Sequence, residues 1–480
     1  MKICIVAEGC YPYVVGGVSS WIHNMIQSFP EHEFIVLTIL ADRKMRGKFV
    51  YEMPKNVSEV YELYLQDQDW SGASESKWGK KRSEKKNFKS IKKEYYQELC
   101  NLITNENANW DVLFEMASKP GFSVDRLLMG PDFLQAVKES YKKYHSDMVF
   151  SNYLWTMRSI YLPLFLVMQY KVPKADVYHC VATGYAGILG AKAKSIHHCG
   201  MVVSEHGIYT REREEEMVKA KWVQGIYKNI WIDQFKKMSQ LAYDRADLIT
   251  SLYDYARTLQ IELGAPPHKL QITPNGIKTQ NFADIPGKLP EDEGYCNIGA
   301  ILRVAPIKDV KTMLRAFYYA KQKEPSLKLW IMGDYDEEPE YARECFEMVD
   351  TMQLRDVVFT GRIQVREYMG RMDCTILTSI SEGQPLTILE GYSAHKPCIA
   401  TDVGNCYGLI YGEDDDFGEA GILCHIMNIQ EIADAMVLMA QNEKRRKRMG
   451  EAGYKRVMKK YRIEDMIETY RNIYKGFEEN

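Results

Sequence analysis

At 480 residues and 55.6 kDa the chain exceeds what one compact core holds, so two domains, or three, are expected. Its 46% hydrophobic and 26% charged residues are those of an ordinary globular protein and exclude collagen, mucin, disordered-tail and disulfide-miniprotein classes. A formal charge of −3 leaves no whole-molecule field to attract a nucleic acid, and none is expected as a partner.

Taken in chain order, MKICIVAEGC has a short apolar run followed by acid and glycine, which predicts a first β-strand rather than a signal peptide. Gly16 and Gly17 form the turn after it and open a helix; such a turn is either an ordinary βα connection or one whose amides approach a phosphate. IVLT at 35–38, DVYH at 176–179, GMVVSEHG at 200–207 and DLITSLYD at 247–254 alternate with helical periodicity such as that at 132–145, the rhythm of a parallel sheet. One segment breaks it. Between Glu75 and Glu94 nine basic residues (Lys77, Lys80, Lys81, Arg82, Lys85, Lys86, Lys89, Lys92, Lys93) face three acids, a local charge of +6 that reads as a solvated insertion or as a docking surface for an acidic partner or a membrane face. The longest apolar stretch, Tyr161 to Tyr170, is about half the roughly 20 residues a spanning helix needs. Eleven scattered cysteines without a C-x-x-C pair suit reduced thiols, and the expected location is cytoplasmic, with peripheral attachment at the inner face of the membrane.

DIPGKLPEDEG after Phe282 reads as a linker. Five strand candidates then follow between 295 and 402 (YCNIGAIL, LKLWIMGD, VVFTGR, DCTILTS, PCIATD), which predicts a second doubly wound domain facing the first across a cleft. The last helix, 461–477, places Ile463, Met466, Ile467, Tyr470 and Ile473 on one face.

Three groups carry chemistry. In SISEGQPLTILEGYSAHKPCIATD, Glu382 lies on a loop with Gly383, and Pro385 opens a helix whose amides at Leu386 and Thr387 have no intrahelical acceptor and favour a phosphate. Glu390, one turn down, is placed to accept from two ribose hydroxyls. Read alone, this is equally a helix with an exposed acid and a buried-edge glutamate. Arg303 and Lys308 can neutralise the charge that develops on a leaving diphosphate, or are surface basics at a helix start. His206 ends an apolar strand, where open sheets place ligand groups, or is a structural histidine.

These elements together resemble the retaining GT-B glycosyltransferases of the large fourth family. The loop and helix at 379–402 are similar to its E-x7-E element, IGAILRVAPIKDVKTMLRAF at 298–317 to its R-x4-K element, VVFTGRIQVREYM at 357–369 to the loop under the nucleobase, and GGVSSWIHNM at 16–25 to its first turn. EHGIYTRER, with the charged insertion and MGDYDEEPEY at 332–341, resembles the PelF subgroup, associated with the Pel exopolysaccharide. The resemblance implies transfer of a hexose from a UDP-sugar, UDP-glucose in particular, to a polysaccharide acceptor, without a metal or other cofactor. It implies catalytic roles for His206, Glu382, Arg303 and Lys308, and donor contacts from Gly17, Arg303, Lys308, Ile363, Gly383, Leu386, Thr387 and Glu390. It divides the chain into an acceptor-side domain at 1–285 with an insertion at about 67–150, a donor domain at 290–460 and a helix at 461–480 returning to the first domain. It implies handover of the product through 77–93 to a membrane synthesis complex. A sugar-nucleotide epimerase, a sugar phosphorylase and a non-catalytic nucleotide-sugar sensor remain the alternatives.

The turn 333–338 departs from the family's G-D-G pattern: Asp334 is followed by Tyr335 and acids, an acidic loop expected to face solvent. His197, His198 and Cys199 are consecutive and cannot jointly clamp zinc, and Glu413 to Asp416 reads as an exposed turn.

Overall fold

The computed structural model describes residues 1–65, 90–223 and 225–479, and the chain divides into two compact units. Unit 1 comprises Met1–Ser251, Arg257–Gln271 and Tyr474–Asn480; unit 2 comprises Leu252–Ala256 and Ile272–Ile473.

Unit 1 is built on β1 (Lys2–Glu8), β2 (Glu33–Leu40), β3 (Val57–Tyr64), β4 (Val177–Cys180), β5 (Gly200–Glu205) and β6 (Leu248–Ser251), with β7 (Leu270–Ile272) at the unit's end. The sheet order is β3-β2-β1-β4-β5-β6-β7, and the pairings from β3 to β6 are parallel. Ile3 to Ala7 are all buried because helices cover both faces, which is why the strand is a continuous apolar run and not an alternating one. Unit 2 repeats the plan with β8 (Cys296–Ile301), β9 (Leu327–Met332), β10 (Val357–Gly361), β11 (Cys374–Leu377), β12 (Cys398–Thr401) and β13 (Gly421–Cys424) in the order β10-β9-β8-β11-β12-β13, again parallel. Each unit is therefore Rossmann-like. In each the order reverses beside the first strand, so the ends of β1 and β4, and of β8 and β11, flank a topological switch point.

Three expectations need correction. Of the insertion expected at about 67–150, the helices Lys93–Ile103, Trp110–Ser118 and Pro131–Tyr144 bury Leu99, Phe114, Phe133 and Val137 in the same hydrophobic core as β1 and β4. Residues 77–89 of the basic run lie outside the described residues. The stretch taken as a linker belongs to the main segment of unit 2, Ile272–Ile473; Asp292 is fully buried and receives two hydrogen bonds from Arg371 at 2.8 and 3.1 Å, a fixed contact that a free connector lacks. The last helix, Ile463–Glu478, buries Ile463, Met466, Tyr470 and Ile473, but only its end from Tyr474 groups with unit 1. Its first turn is tied within unit 2, Ile277 donating to Tyr461 O at 2.8 Å and Ile463 to Ile277 O at 3.0 Å. Asp415 is likewise no exposed turn residue: it forms an ion pair with Arg456 at 2.8 Å in which both side chains are fully buried.

Among the described residues no helix is long and apolar enough to cross a membrane.

Candidate active site

In unit 2 two loops leave the sheet at the switch point and fasten to one another. Thr378 Oγ1, just past β11, donates to the carbonyls of Lys308 and Asp309 at 3.0 and 3.2 Å, and Ile380 N donates to Ile307 O at 2.9 Å. The Asp309 side chain then caps the helix Val310–Lys323 by accepting from Thr312 N at 3.3 Å. This zipper brings Lys308 Nζ to 2.5 Å from Glu382 Oε1, and Ser379 Oγ donates to the same oxygen at 2.6 Å. The side chains are only 19% and 13% exposed, so the pair is shielded from bulk water on most sides.

The backbone under Glu382 is fixed as firmly. Gly404 has φ +53, and a Cβ there would lie 2.3 Å from Glu382 O and 2.2 Å from Gly383 O, so only glycine lets the two loops approach so closely. Asn405 N donates to Gly383 O at 2.8 Å, and Gln384 Oε1 accepts from Asn275 N at 2.9 Å. Pro385 is the N-cap of the helix Leu386–Ser393, not its first residue as the sequence suggested, so Leu386 and Thr387 occupy the first two helical positions and their amides lack intrahelical acceptors. On the same helix Glu390 has its carboxyl pushed up to about 7 by burial alone, with neither a cation nor a donor opposing the shift.

Arg303 does not join this cluster. Its guanidinium NH1 binds both carboxylate oxygens of Glu337 at 2.5 and 2.6 Å, and the pair is about half exposed. The acidic loop after β9 faces solvent as expected, with Asp336, Glu337 and Glu338 exposed, and it also engages cations: besides Glu337 with Arg303, Asp334 lies 3.3 Å from Arg362. Gly333, at φ +151, makes this possible, because a Cβ would fall 1.9 Å from Leu302 O. Ile363, past β10, is half-buried against the cluster of Trp330, Met332 and Met372.

In unit 1 Gly17 opens the helix Gly17–Ser28 and is exposed; Gly16 before it is ordinary extended backbone with open space around its Cβ position, so close approach to the chain does not require glycine there. The His206 ring meets Trp21 edge to face at 4.5 Å between centroids, and its Nε2 is buried without a partner. Burial lowers it to about 4, so the ring is neutral at neutral pH. Arg213 reaches Glu8 at the end of β1 at 3.3 Å; Tyr209 OH and Tyr185 N donate to the same carboxylate at 3.1 and 3.0 Å. Burial raises Glu8, and Arg213 is the largest effect opposing that rise.

Residues 1–268, more than half of the chain, match the family described as Domain of unknown function (DUF3492). The chain belongs to that family. In this DUF3492 member, residues 295–442 match a second description, Glycosyl transferases group 1, which covers the Lys308–Glu382 cluster and Glu390. The chain is 29% identical over 171 residues to the N-acetyl-alpha-D-glucosaminyl L-malate synthase of Bacillus anthracis, covering 35% of this chain and 42% of that protein. It is 30% identical over 178 residues to the alpha-monoglucosyldiacylglycerol synthase of Streptococcus pneumoniae, covering 33% and 39%. The chain thus spans well under half the length of these curated relatives. Anabaena HepE in complex with UDP and glucose superposes with a TM-score of 0.60 over 99% of both chains at 14% identity. Sucrose-phosphate synthase from Thermosynechococcus elongatus superposes with a TM-score of 0.62 over 99% of this chain and 98% of its own, also at 14% identity. These neighbours and the two Rossmann-like units make the fold that of the GT-B glycosyltransferases.

Three groups in this DUF3492 member escaped the sequence reading. Ser379 and Gln384 stand inside the quoted motif, but nothing in their spacing says that one holds the Glu382 carboxylate and the other the Asn275 amide. Glu8 carried a usable signal: an acid at the end of the first strand of a parallel sheet points where such sheets bind ligands.

Proposed function

We propose that the protein is a retaining, metal-independent hexosyltransferase that takes the sugar from a UDP-sugar, UDP-glucose first among them, and adds it to a growing exopolysaccharide in the manner of PelF-like enzymes. The observation that carries the reading is the meeting of Lys308, Ser379 and Glu382 beside the first turn of the helix Leu386–Ser393. A transferase that breaks a sugar–phosphate bond needs fixed positive potential where the diphosphate leaves and a fixed acceptor where the sugar hydroxyls lie, and the hydrogen-bonded loops that carry Lys308 and Glu382 support that reading. Lys308 and the amides of Leu386 and Thr387 then take the diphosphate, aided by Arg303 once it parts from Glu337. Glu390 accepts from the ribose hydroxyls, and Ile363 supports the base. Glu382 keeps Oε1 on Lys308 and Ser379 and turns Oε2 to the sugar. His206, as a neutral ring, is assigned to the sugar and Gly17 to the phosphate. The acceptor hydroxyl oxygen bonds to the anomeric carbon on the face the diphosphate leaves; the carbon–phosphate oxygen bond breaks, and the departing oxygen takes the hydroxyl proton. UDP in complexes of Anabaena HepE supports the choice of nucleotide.

Handover to a membrane synthesis complex from the cytoplasmic side, with contact through 77–93, belongs to the same proposal. The test is release of free UDP from a panel of nucleotide sugars, with and without glucan acceptor, before and after dialysis against a strong chelator. UDP release that favours UDP-glucose, rises with acceptor and survives chelation is expected. Release restored only by added magnesium or manganese overturns metal independence, and no release from any UDP-sugar overturns the assignment.

A further inference from the structure

Glu205, the last residue of β5, is 4% exposed, and its carboxylate is met by donors from four parts of unit 1. Oε1 accepts from Thr183 Oγ1 at 3.1 Å and from Tyr209 N at 3.3 Å, and Oε2 from Tyr243 OH at 2.6 Å and Gln260 Nε2 at 2.8 Å. Ser239 Oγ lies 2.8 Å from both Thr183 Oγ1 and Thr210 Oγ1. With Thr183 donating to the carboxylate, Ser239 donates to Thr183 and takes its own bond from Thr210, so each hydroxyl of this chain turns its proton toward Glu205. The set is matched to the ionised carboxylate and opposes the rise that burial imposes on it. The proposed transfer has no part for this group. Stripping a carboxylate of water is costly, and apolar residues fill such a position at lower cost; a buried polar set with every member satisfied instead fixes one geometry.

That geometry is the loop 206–208. Tyr209 is the first residue of the helix Tyr209–Lys219, and its amide, which has no intrahelical acceptor, is satisfied by Glu205 Oε1. Glu205 and Tyr209 bound the loop on its two sides, so one oxygen closes the three residues between them at the carboxyl end of β5. His206 is the first of the three, and its ring is stopped on the other side by Trp21, 4.5 Å away between centroids. Two further titratable groups face the loop. His179, which burial and then the His206 charge lower to about 3, is neutral, and Glu212 packs over Gly207, where a Cβ would lie 1.9 Å from its Oε1. We infer that Glu205 is a positioning residue which, through this loop, sets the His206 ring against Trp21 for sugar transfer; the inference rests on the part given to His206 in the proposed function.

The test is read on the full chain with isotope-labelled histidine and no nucleotide, by following the His206 Cε1 resonance, assigned with His206→Asn, against pH. In wild type its midpoint is expected at about 4. Glu205→Ala, which releases the loop, should move the midpoint toward the ordinary histidine value of about 6.5 as water reaches the ring, and Glu205→Gln should move it less in the same direction. The Gln variant keeps the shape of the side chain but turns an NH2 group toward Tyr243 and Gln260. It should lower kcat for UDP release on the order of tenfold while KM for UDP-glucose stays within about twofold. Exchanging the pair, Glu205→Gln with Gln260→Glu, again sets one carboxylate against one amide and should recover most of the loss. A role in stability alone lowers the melting temperature of the variants and moves neither the His206 midpoint nor the kcat–KM split. A midpoint unchanged in both single variants overturns the inference whatever happens to activity, as does an exchange variant no better than Glu205→Gln. A midpoint that moves while kcat stays at the wild-type value keeps the placement of the ring and removes the part of His206 in transfer, so the two failures are told apart.

Discussion

Lys308 and Glu382 are 74 positions apart, yet their charged atoms stand 2.5 Å from each other. A pair so enclosed cannot lose one member cheaply, because the survivor is left in a poor dielectric. Lys308→Ala is therefore expected to lower turnover on the order of 10²-fold, about 3 kcal/mol of transition-state stabilisation, in a UDP-release assay. Arg303→Ala should cost less, since its guanidinium works half in water; equal losses for the two variants contradict that ranking. Glu390 gives a pH signature. With its carboxyl at about 7 before nucleotide binds, it must ionise to accept the ribose hydroxyls, so binding releases a proton. Calorimetric affinity for UDP-glucose should be full above about pH 7 and fall about tenfold per unit below it, since the complex favours the ionised form. UDP-glucose has no phosphate group titrating in that window, and His206, at about 4, titrates below it. Glu390→Gln should flatten the profile, and an unchanged slope in that variant removes the assignment.

Among the elements, the E-x7-E loop owes its shape to a neighbour from another strand. Gly404, after β12, is the residue over which Glu382 and Gly383 pack. Gly404→Ala combines a left-handed backbone with overlap on two carbonyl oxygens, and a loss of about 2 kcal/mol or more in urea unfolding is expected, with turnover falling as Glu382 is displaced. The helix Glu443–Lys460 depends on a different device. Arg456 donates to both Asp415 oxygens and to the carbonyls of Leu409, Ile410 and Gly418. Removing it orphans a buried carboxylate and three carbonyls, so Arg456→Ala should destabilise unit 2 by about 3–5 kcal/mol. A change under about 1 kcal/mol in the denaturation midpoint analysis would mean water replaces the guanidinium.

At the scale of the whole molecule, each unit has its own sheet and its own apolar core: Val6, Leu37 and Phe165 belong to one, Ile298, Phe317 and Leu329 to another. Lys308, Glu382 and Glu390, the residues proposed for the donor, all fall in unit 2. Calorimetric melting should therefore show that UDP raises the transition of unit 2, by RT ln(1 + [L]/Kd), and shifts that of unit 1, which holds only Gly17 of the proposed donor contacts, by much less. A uniform shift of both would mean that unit 1 holds the nucleotide as firmly as unit 2.

The alternation of apolar runs with helical segments was enough to identify both sheets, because the centre of a strand covered on both faces must be apolar, as Ile3–Ala7 of β1, Ile298–Ile301 of β8 and Cys398–Ala400 of β12 are, and that property is local. The places of Lys308, Glu382 and Glu390, before or on the first turns of helices that follow strands, were legible for the same reason: strand, turn and helix start can be read from consecutive residues. What those side chains touch could not be read that way. Whether Arg303 would share an anion with Lys308 or be taken by Glu337, whether Arg213 would face solvent or Glu8, and whether Asp292 and Asp415 would lie in a linker and an exposed turn or in buried ion pairs were settled by the tertiary fold. An ion pair is decided by which loops the sheet order brings side by side and by how much water the packing excludes, and neither quantity exists until strands far apart in the chain have paired.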